Sequence, residues 1–264
     1  MDAFAALDQE GSIFAWGEPL HGGSGAPSGT GFAAIYSTSS AFAALKQDGS
    51  IKVWGPSLSG GSNTSGSYNG FSYTGAPSGT GFTAIYSTYE AFAALKQDGS
   101  IEVWGSSYYG GSSTSGTTPY GSSYTGAPSG TGFTAIYPNR HAFAALKSDG
   151  SIDVWGNPAY GGSKTATQDD TPGLTYTGAP SGTGFAAIYS NMYAFAGLKQ
   201  DGSIEAWGAP YDGGSDAPSG TGFAAIYSTA WAFAALKLDG SIQAWGNWYS
   251  GGSGAPTGTG FVTI

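Results

Sequence analysis

The chain has 264 residues, no cysteine, and a formal net charge of −9 from 8 Lys+Arg against 17 Asp+Glu. That excludes disulfides, thiolate chemistry and cysteine-based zinc sites, and it argues against a protein held on nucleic acid by phosphate contacts. Only 9% of residues are charged yet 15% are aromatic. Ordinary globular domains are roughly a quarter charged, and disordered chains lack the aromatics, so a folded domain with a weakly charged surface is expected.

Two phrases organise the whole length, each present six times: A-F-A-(A/G)-L-x-x-(D/E)-G-S-I-x-x-W-G and G-T-G-F-x-x-I. Such self-similarity signals a repeat architecture and is read before any local detail. The first unit runs from Met1-Asp2, with no secretory-leader pattern, straight into Ala3-Phe4-Ala5-Ala6-Leu7, a Glu10-Gly11 turn and Trp16-Gly17. Later units add a preceding strand of the type Phe32-Ala33-Ala34-Ile35-Tyr36-Ser37. Their turns read Asp48-Gly49, Asp98-Gly99, Asp149-Gly150, Asp201-Gly202 and Asp239-Gly240. Asp-Gly between apolar runs is a hairpin signal, because glycine accepts the positive φ that such turns need. After each Trp-Gly come four variable residues and then Gly-Gly-Ser. Insertions at 63–74, 113–125 and 164–177 widen the three middle spacings. The last unit stops at Phe261-Val262-Thr263-Ile264. Ile264 corresponds to Ile35 and Met1 to Ser39, so the chain holds six whole units opened inside one of them.

These strands are apolar on both faces, as in sheets covered on both sides. No helical periodicity is present, and no apolar run approaches the ~20 residues that span a bilayer, so no membrane insertion is expected. The expected fold is all-β: a six-bladed β-propeller forming one domain over 1–264, with circular closure between the N- and C-terminal strands. A β-solenoid is the runner-up, and it leaves the whole number of units without a reason.

The stretch from Phe82 to Gly105, F-T-A-I-Y-S-T-Y-E-A-F-A-A-L-K-Q-D-G-S-I-E-V-W-G, resembles a blade of the regulator of chromosome condensation family, and the likeness recurs in all six units. It departs in having six units where that family usually has seven, and Ser-Thr-x-x where the family has Gly and His, His141 being the single histidine there. The resemblance implies a propeller fold, and its members include a propeller-type inhibitor of β-lactamases whose one face binds protein. Function sits in sites grafted on such a fold.

Strand parity places two sets of connections at one end of the blades. The first turns carry Ser39-Ser40, Tyr89-Glu90, Arg140-His141, Met192-Tyr193 and Ala230-Trp231. The second loops carry Glu18 to His21, Pro56 to Ser59, Ser106 to Tyr109, Asn157 to Tyr160, Ala209 to Asp212 and Asn247 to Ser250. The opposite end, with the Asp-Gly turns, hardly varies. Rigid aromatics among Ser, Gly and Asn compose a recognition surface. Tyr89, Glu90, Tyr108, Tyr109, Arg140, His141, Tyr160, Tyr193, Tyr211, Asp212, Trp231, Trp248 and Tyr249 are its candidate binding residues.

Blander readings hold elsewhere. The Trp-Gly tryptophans and AFAAL phenylalanines are packing residues, and Tyr73, Tyr124 and Tyr176 anchor the inserts. Asp169-Asp170 is a solvated loop pair, the Gly-Thr-Gly pieces are architecture, and Asn63-Thr64-Ser65 is a glycosylation sequon. Two histidines supply neither a triad nor a metal site, and no cofactor or metal is expected. The expected function is a non-enzymatic, monomeric module binding a protein partner through the aromatic-rich face. A structural or adhesive tile and a carbohydrate-binding lectin are the alternatives, and the compartment is open with a lean to the cell exterior.

Overall fold

A computed structural model describes residues 2–168 and 175–264. Asp169-Asp170 lies outside the described residues, as does part of the third insert. The described chain is all-β, with antiparallel sheets and short 3-10 turns. It divides into two compact units, Met1–Ile136 and Tyr137–Ile264.

In each unit the repeat folds as a three-stranded meander. In the first, Phe32–Ser37, Phe42–Lys46 and Ile51–Trp54 pair in that order; in the second, Phe185–Ser190, Ala194–Lys199 and Ile204–Gly208 do the same. The register sets the phenylalanine of AFAAL opposite the tryptophan of Trp-Gly, as in Phe42↔Trp54 and Phe195↔Trp207. All six such pairs stack, with ring centroids 5.5 Å apart for Phe4–Trp16 and 5.0 Å for Phe92–Trp104. A cross-strand aromatic pair of this kind reinforces register and packing together.

Both faces of these sheets are used. Ala41, Ala43, Leu45 and Ile51 pack on Phe82, Ile85, Phe92, Ala94 and Trp104 of the next sheet. In the second unit Ala194, Ala196, Leu198 and Ile204 meet Phe223, Ile226, Phe233 and Trp245 in the same way. A small, flat alanine face against a bulky aromatic one lets neighbouring sheets approach closely. That is why the AFAAL runs do not alternate in polarity.

The turns follow the sequence signal with one substitution of roles. Asp48 Oδ1 accepts from Ser50 N (2.9 Å) and Ser50 Oγ (2.7 Å), and the same pair recurs at the later Asp-Gly turns. In the first repeat, where the lysine position is Asp8, that residue's carboxylate takes over, accepting from Glu10 N (3.0 Å) and Ser12 N (2.7 Å). Each turn glycine then reaches onward: Gly49 O accepts from Phe82 N and Gly99 O from Phe133 N, both at 3.1 Å.

The first two inserts form hairpins of their own. Gly66–Tyr68 and Phe71–Thr74 extend the sheet of the following repeat, with Thr74 opposite Gly105, to make five strands. The third insert reaches its next repeat through a bridge of Thr177 to Gly208. The Ala-Pro-Ser-Gly-Thr-Gly segments form no strand.

The expected circular closure is not present as a closed sheet. Ala3–Leu7 pairs only with Ile13–Gly17, and 261–264 forms no strand. In the repeat that follows, Tyr36 and Ser37 end the first strand, and Ala41 N donates to Thr38 Oγ1 (3.1 Å) across the turn into the second. Phe4 (64%) and Trp16 (52%) remain exposed where their counterparts Phe92 and Trp104 are fully buried. Phe261 N nevertheless donates to Gly240 O (3.1 Å), the bond that seats each first strand elsewhere.

Candidate functional site

The variable connections are held together by a residue the sequence reading passed over. In each of the five first turns the second position is Thr or Asn. Its side chain donates across to the last carbonyl of the second loop in the same repeat. In the first unit Thr38 Oγ1 reaches Ser59 O (3.0 Å) and Thr88 Oγ1 reaches Tyr109 O (2.9 Å). In the second, Asn139 Nδ2 reaches Tyr160 O (2.7 Å), Asn191 Nδ2 reaches Asp212 O (2.6 Å), and Thr229 Oγ1 reaches Ser250 O (2.9 Å). The oxygen of the same group also shapes its own turn: Asn139 Oδ1 accepts from His141 N (2.8 Å) and Ala142 N (2.7 Å). Thr38, Thr88, Asn139 and Asn191 are buried, so losing any of them strands several polar groups away from water. The signal was legible as a position that is only ever Thr or Asn, just before two residues that vary freely.

Neighbouring first turns are tied too. Ser39 N donates to Tyr89 O (2.9 Å) in the first unit, and Arg140 N to Met192 O (3.2 Å) and Met192 N to Ala230 O (3.0 Å) in the second. The second loops are short 3-10 turns such as Ser107–Tyr109, Pro158–Tyr160 and Pro210–Asp212. Each ends on a left-handed glycine.

On this frame the candidate residues fall into clusters. In the first unit Tyr89 lies 5.8 Å from Tyr109, which meets Tyr108 edge-on at 5.2 Å. Glu90, Tyr108 and Tyr109, with Leu58, Phe71 and Tyr120, line a cavity of about 350 Å³. Burial raises the Glu90 carboxyl above its ordinary value. The insert tyrosine Tyr124 lies beside this region, its hydroxyl 3.4 Å from Ser72 Oγ, which itself donates to Ser107 Oγ (3.0 Å).

In the second unit His141 stacks on Tyr160 at 4.5 Å and on Tyr193 at 5.7 Å, and the buried Tyr176 of the third insert packs edge-on against Tyr160 at 6.3 Å. Tyr211, Trp248 and Tyr249 line an open groove of about 600 Å³ over Trp245. Tyr211 (73%), Trp248 (65%) and Tyr249 (89%) are the most exposed of the candidate residues, and Tyr89 and Trp231 are also exposed. Trp231, Asp212 and Arg140 line neither cavity. The Asp212 carboxyl is raised by burial, and its backbone oxygen is the acceptor for Asn191. Among the described residues no group of three or more His, Asp or Glu is placed to hold a metal ion.

Burial, with the Arg140 charge second, lowers His141 from 6.5 to about 4. The unfolded chain therefore takes up a proton there that the folded chain refuses. This contribution to stability is complete above about pH 6.5 and is lost as pH falls towards 4, on the order of 3 kcal/mol. Glu90 and Asp212, raised by burial, act in the opposite sense, and the turn aspartates, held low first by their serine hydrogen bonds, give way only under more acid conditions. The readout is thus a difference. Between pH 7 and pH 4.5 the urea midpoint of the wild type should fall further than that of His141→Phe, which keeps the ring stack. Equal pH dependence in the two proteins would remove His141 from the account.

No family model matches the chain, and no curated protein matches it. Solved structures do. Human WBSCR16 superposes with a TM-score of 0.56 at 13% identity, over 93% of this chain and 74% of that one. Prp20p of Saccharomyces cerevisiae gives 0.51 at 16% identity, over 80% of this chain and 57% of that one. Yeast RCC1 (Prp20) bound to Kap60 gives 0.50 at 14% identity, over 92% and 68%. The fold is of the β-propeller type. At these identities the likeness speaks to fold alone, and the chain spans little more than half the length of the Prp20p chain it matches.

Proposed function

We propose that the chain is a non-enzymatic recognition module. It is a six-bladed propeller whose tail 261–264 closes against Ala3–Leu7 and whose variable connections form one protein-binding face. The observation that carries the reading is the pinning of each first turn to the second loop of its own repeat by a Thr or Asn side chain, while tyrosines and tryptophans on those loops stay exposed. Rigid aromatic anchors on ordered loops lose little entropy on binding.

Closure is supported by chemistry left uncovered at each end. Phe4 and Trp16 stand at positions that a neighbouring repeat's alanines cover elsewhere, and Phe261 is seated like a first strand. Prp20p, which shares the fold, binds Gsp1p and histones, a precedent for protein binding by a propeller. The two cavities are lined differently, which disfavours the repeated pocket of a lectin. Glu90 is the one carboxylate lining the first cavity, short of the pair that glycoside hydrolysis needs.

The test is affinity capture from lysate with the wild type and with a Tyr108→Ala, Tyr211→Ala, Trp248→Ala triple variant. A partner retained by the first and lost, at least tenfold, by the folded second supports the face. Equal retention refutes it.

A further inference from the structure

The 350 Å³ cavity of the first unit combines two features that together select a ligand charge. Its walls combine the rings of Phe71, Tyr108, Tyr109 and Tyr120 with Leu58 and three Ser or Thr side chains. Its one ionisable carboxyl is Glu90, which has no ion-pair partner among the described residues. A carboxylate lined by aromatic rings and neutral hydroxyls, with no cationic side chain in the wall, is an unfinished electrostatic arrangement. A cation entering it gains both the carboxylate and the negative faces of the rings, the pairing used in cages for alkylated ammonium groups. An anion would meet Glu90, and a neutral apolar group would leave it desolvated and unpaired.

The walls also favour one cation over another. A point charge on a slim alkyl stem can lie along Leu58 and Phe71 and still present its head to Glu90. A broad guanidinium asks for a flat slot with paired acceptors. The volume exceeds what a bare ammonium head needs, leaving room for methyl groups. Phe71 meets Tyr120 at 5.6 Å, tilted by 60°, so the first two inserts each contribute one ring to this wall. That gives the insertions of this unit a use that the bare repeat lacks.

We propose that this cavity binds the alkylammonium end of a lysine side chain carried by a protein partner, with Glu90 as counter-ion and Tyr108, Tyr109 and Tyr120 as the cage. This rests on the recognition-face reading and names the chemistry of what that face holds.

The test uses small probes on the intact chain, followed by NMR of labelled tyrosines: n-butylammonium, tetramethylammonium, and n-pentanol as the neutral counterpart of the first. Both cations should shift the same tyrosine signals with millimolar affinity, and n-pentanol should bind at least tenfold more weakly. Glu90→Gln should cut cation affinity at least tenfold and leave n-pentanol unchanged. Tyr120 is 84% exposed, so Tyr120→Ala spares the core, and it should weaken both cations several-fold. Equal binding of n-pentanol and n-butylammonium, or undiminished cation binding in both variants, overturns the proposal. The two readings fail separately. Cation binding without any partner lost from the triple variant removes the wider face and keeps the cavity, whereas a captured partner with no cation binding does the reverse.

Discussion

Trp104→Ala should destabilise the protein by about 4 kcal/mol, within the range of roughly 3–5 kcal/mol for emptying a buried aromatic site. Trp104 is fully buried, stacks on Phe92 at 5.0 Å, and donates from Nε1 to Gly60 O (3.1 Å). The substitution leaves a cavity between two sheets and an unpaired carbonyl in the loop above it. Urea denaturation measures the loss. The informative companion is Trp16→Ala, since Trp16 occupies the same repeat position and stacks on Phe4 at 5.5 Å but is 52% exposed. A ring closed as proposed covers Trp16 and makes the two substitutions cost alike. A cost under about 1.5 kcal/mol for Trp16→Ala, beside a full loss for Trp104→Ala, argues that the ends stay apart.

Gly99→Ala should cost about 3 kcal/mol, from two sources that a control separates. Gly99 sits at φ +77°, where an L side chain is strained by roughly 1–2 kcal/mol. A Cβ there would also stand 2.7 Å from Gly132 N and 2.9 Å from Phe133 N and O. Phe133 N is also the donor to Gly99 O (3.1 Å), so the turn and the next first strand must separate. Gly25 has nearly the same φ, +79°, and nothing within 4 Å of its Cβ position. Gly25→Ala should therefore show the backbone strain alone, about 1 kcal/mol. Equal losses at the two positions would mean that the turn-to-strand contact contributes nothing.

The contrast between those glycines shows how much the sequence can tell. Asp48-Gly49 and its counterparts announce hairpins because the turn chemistry is local, and the hairpins are there. The stacked Phe–Trp pairs are equally legible, since a fixed register follows from a fixed turn. Asp8 was not legible in the same way. Its carboxylate replaces the missing turn aspartate from two positions upstream of Glu10, a swap that only the backbone path shows. The pinning residues Thr88 and Asn139 lie between these cases. Their chemistry is ordinary, but their partners, Tyr109 O and Tyr160 O, sit 21 residues away on another connection. The grouping of Phe71 and Tyr120 in one cavity wall depends on how two insert hairpins settle, and no periodicity in the chain encodes that.

The most direct test of the recognition face is hydrogen–deuterium exchange on the chain alone and with its captured partner. The account predicts slowed exchange at 106–109, 157–160 and 209–212, with the Asp-Gly turns at 97–100 and 148–151 unchanged. Protection confined to those turns would place the partner at the opposite end of the blades and contradict it.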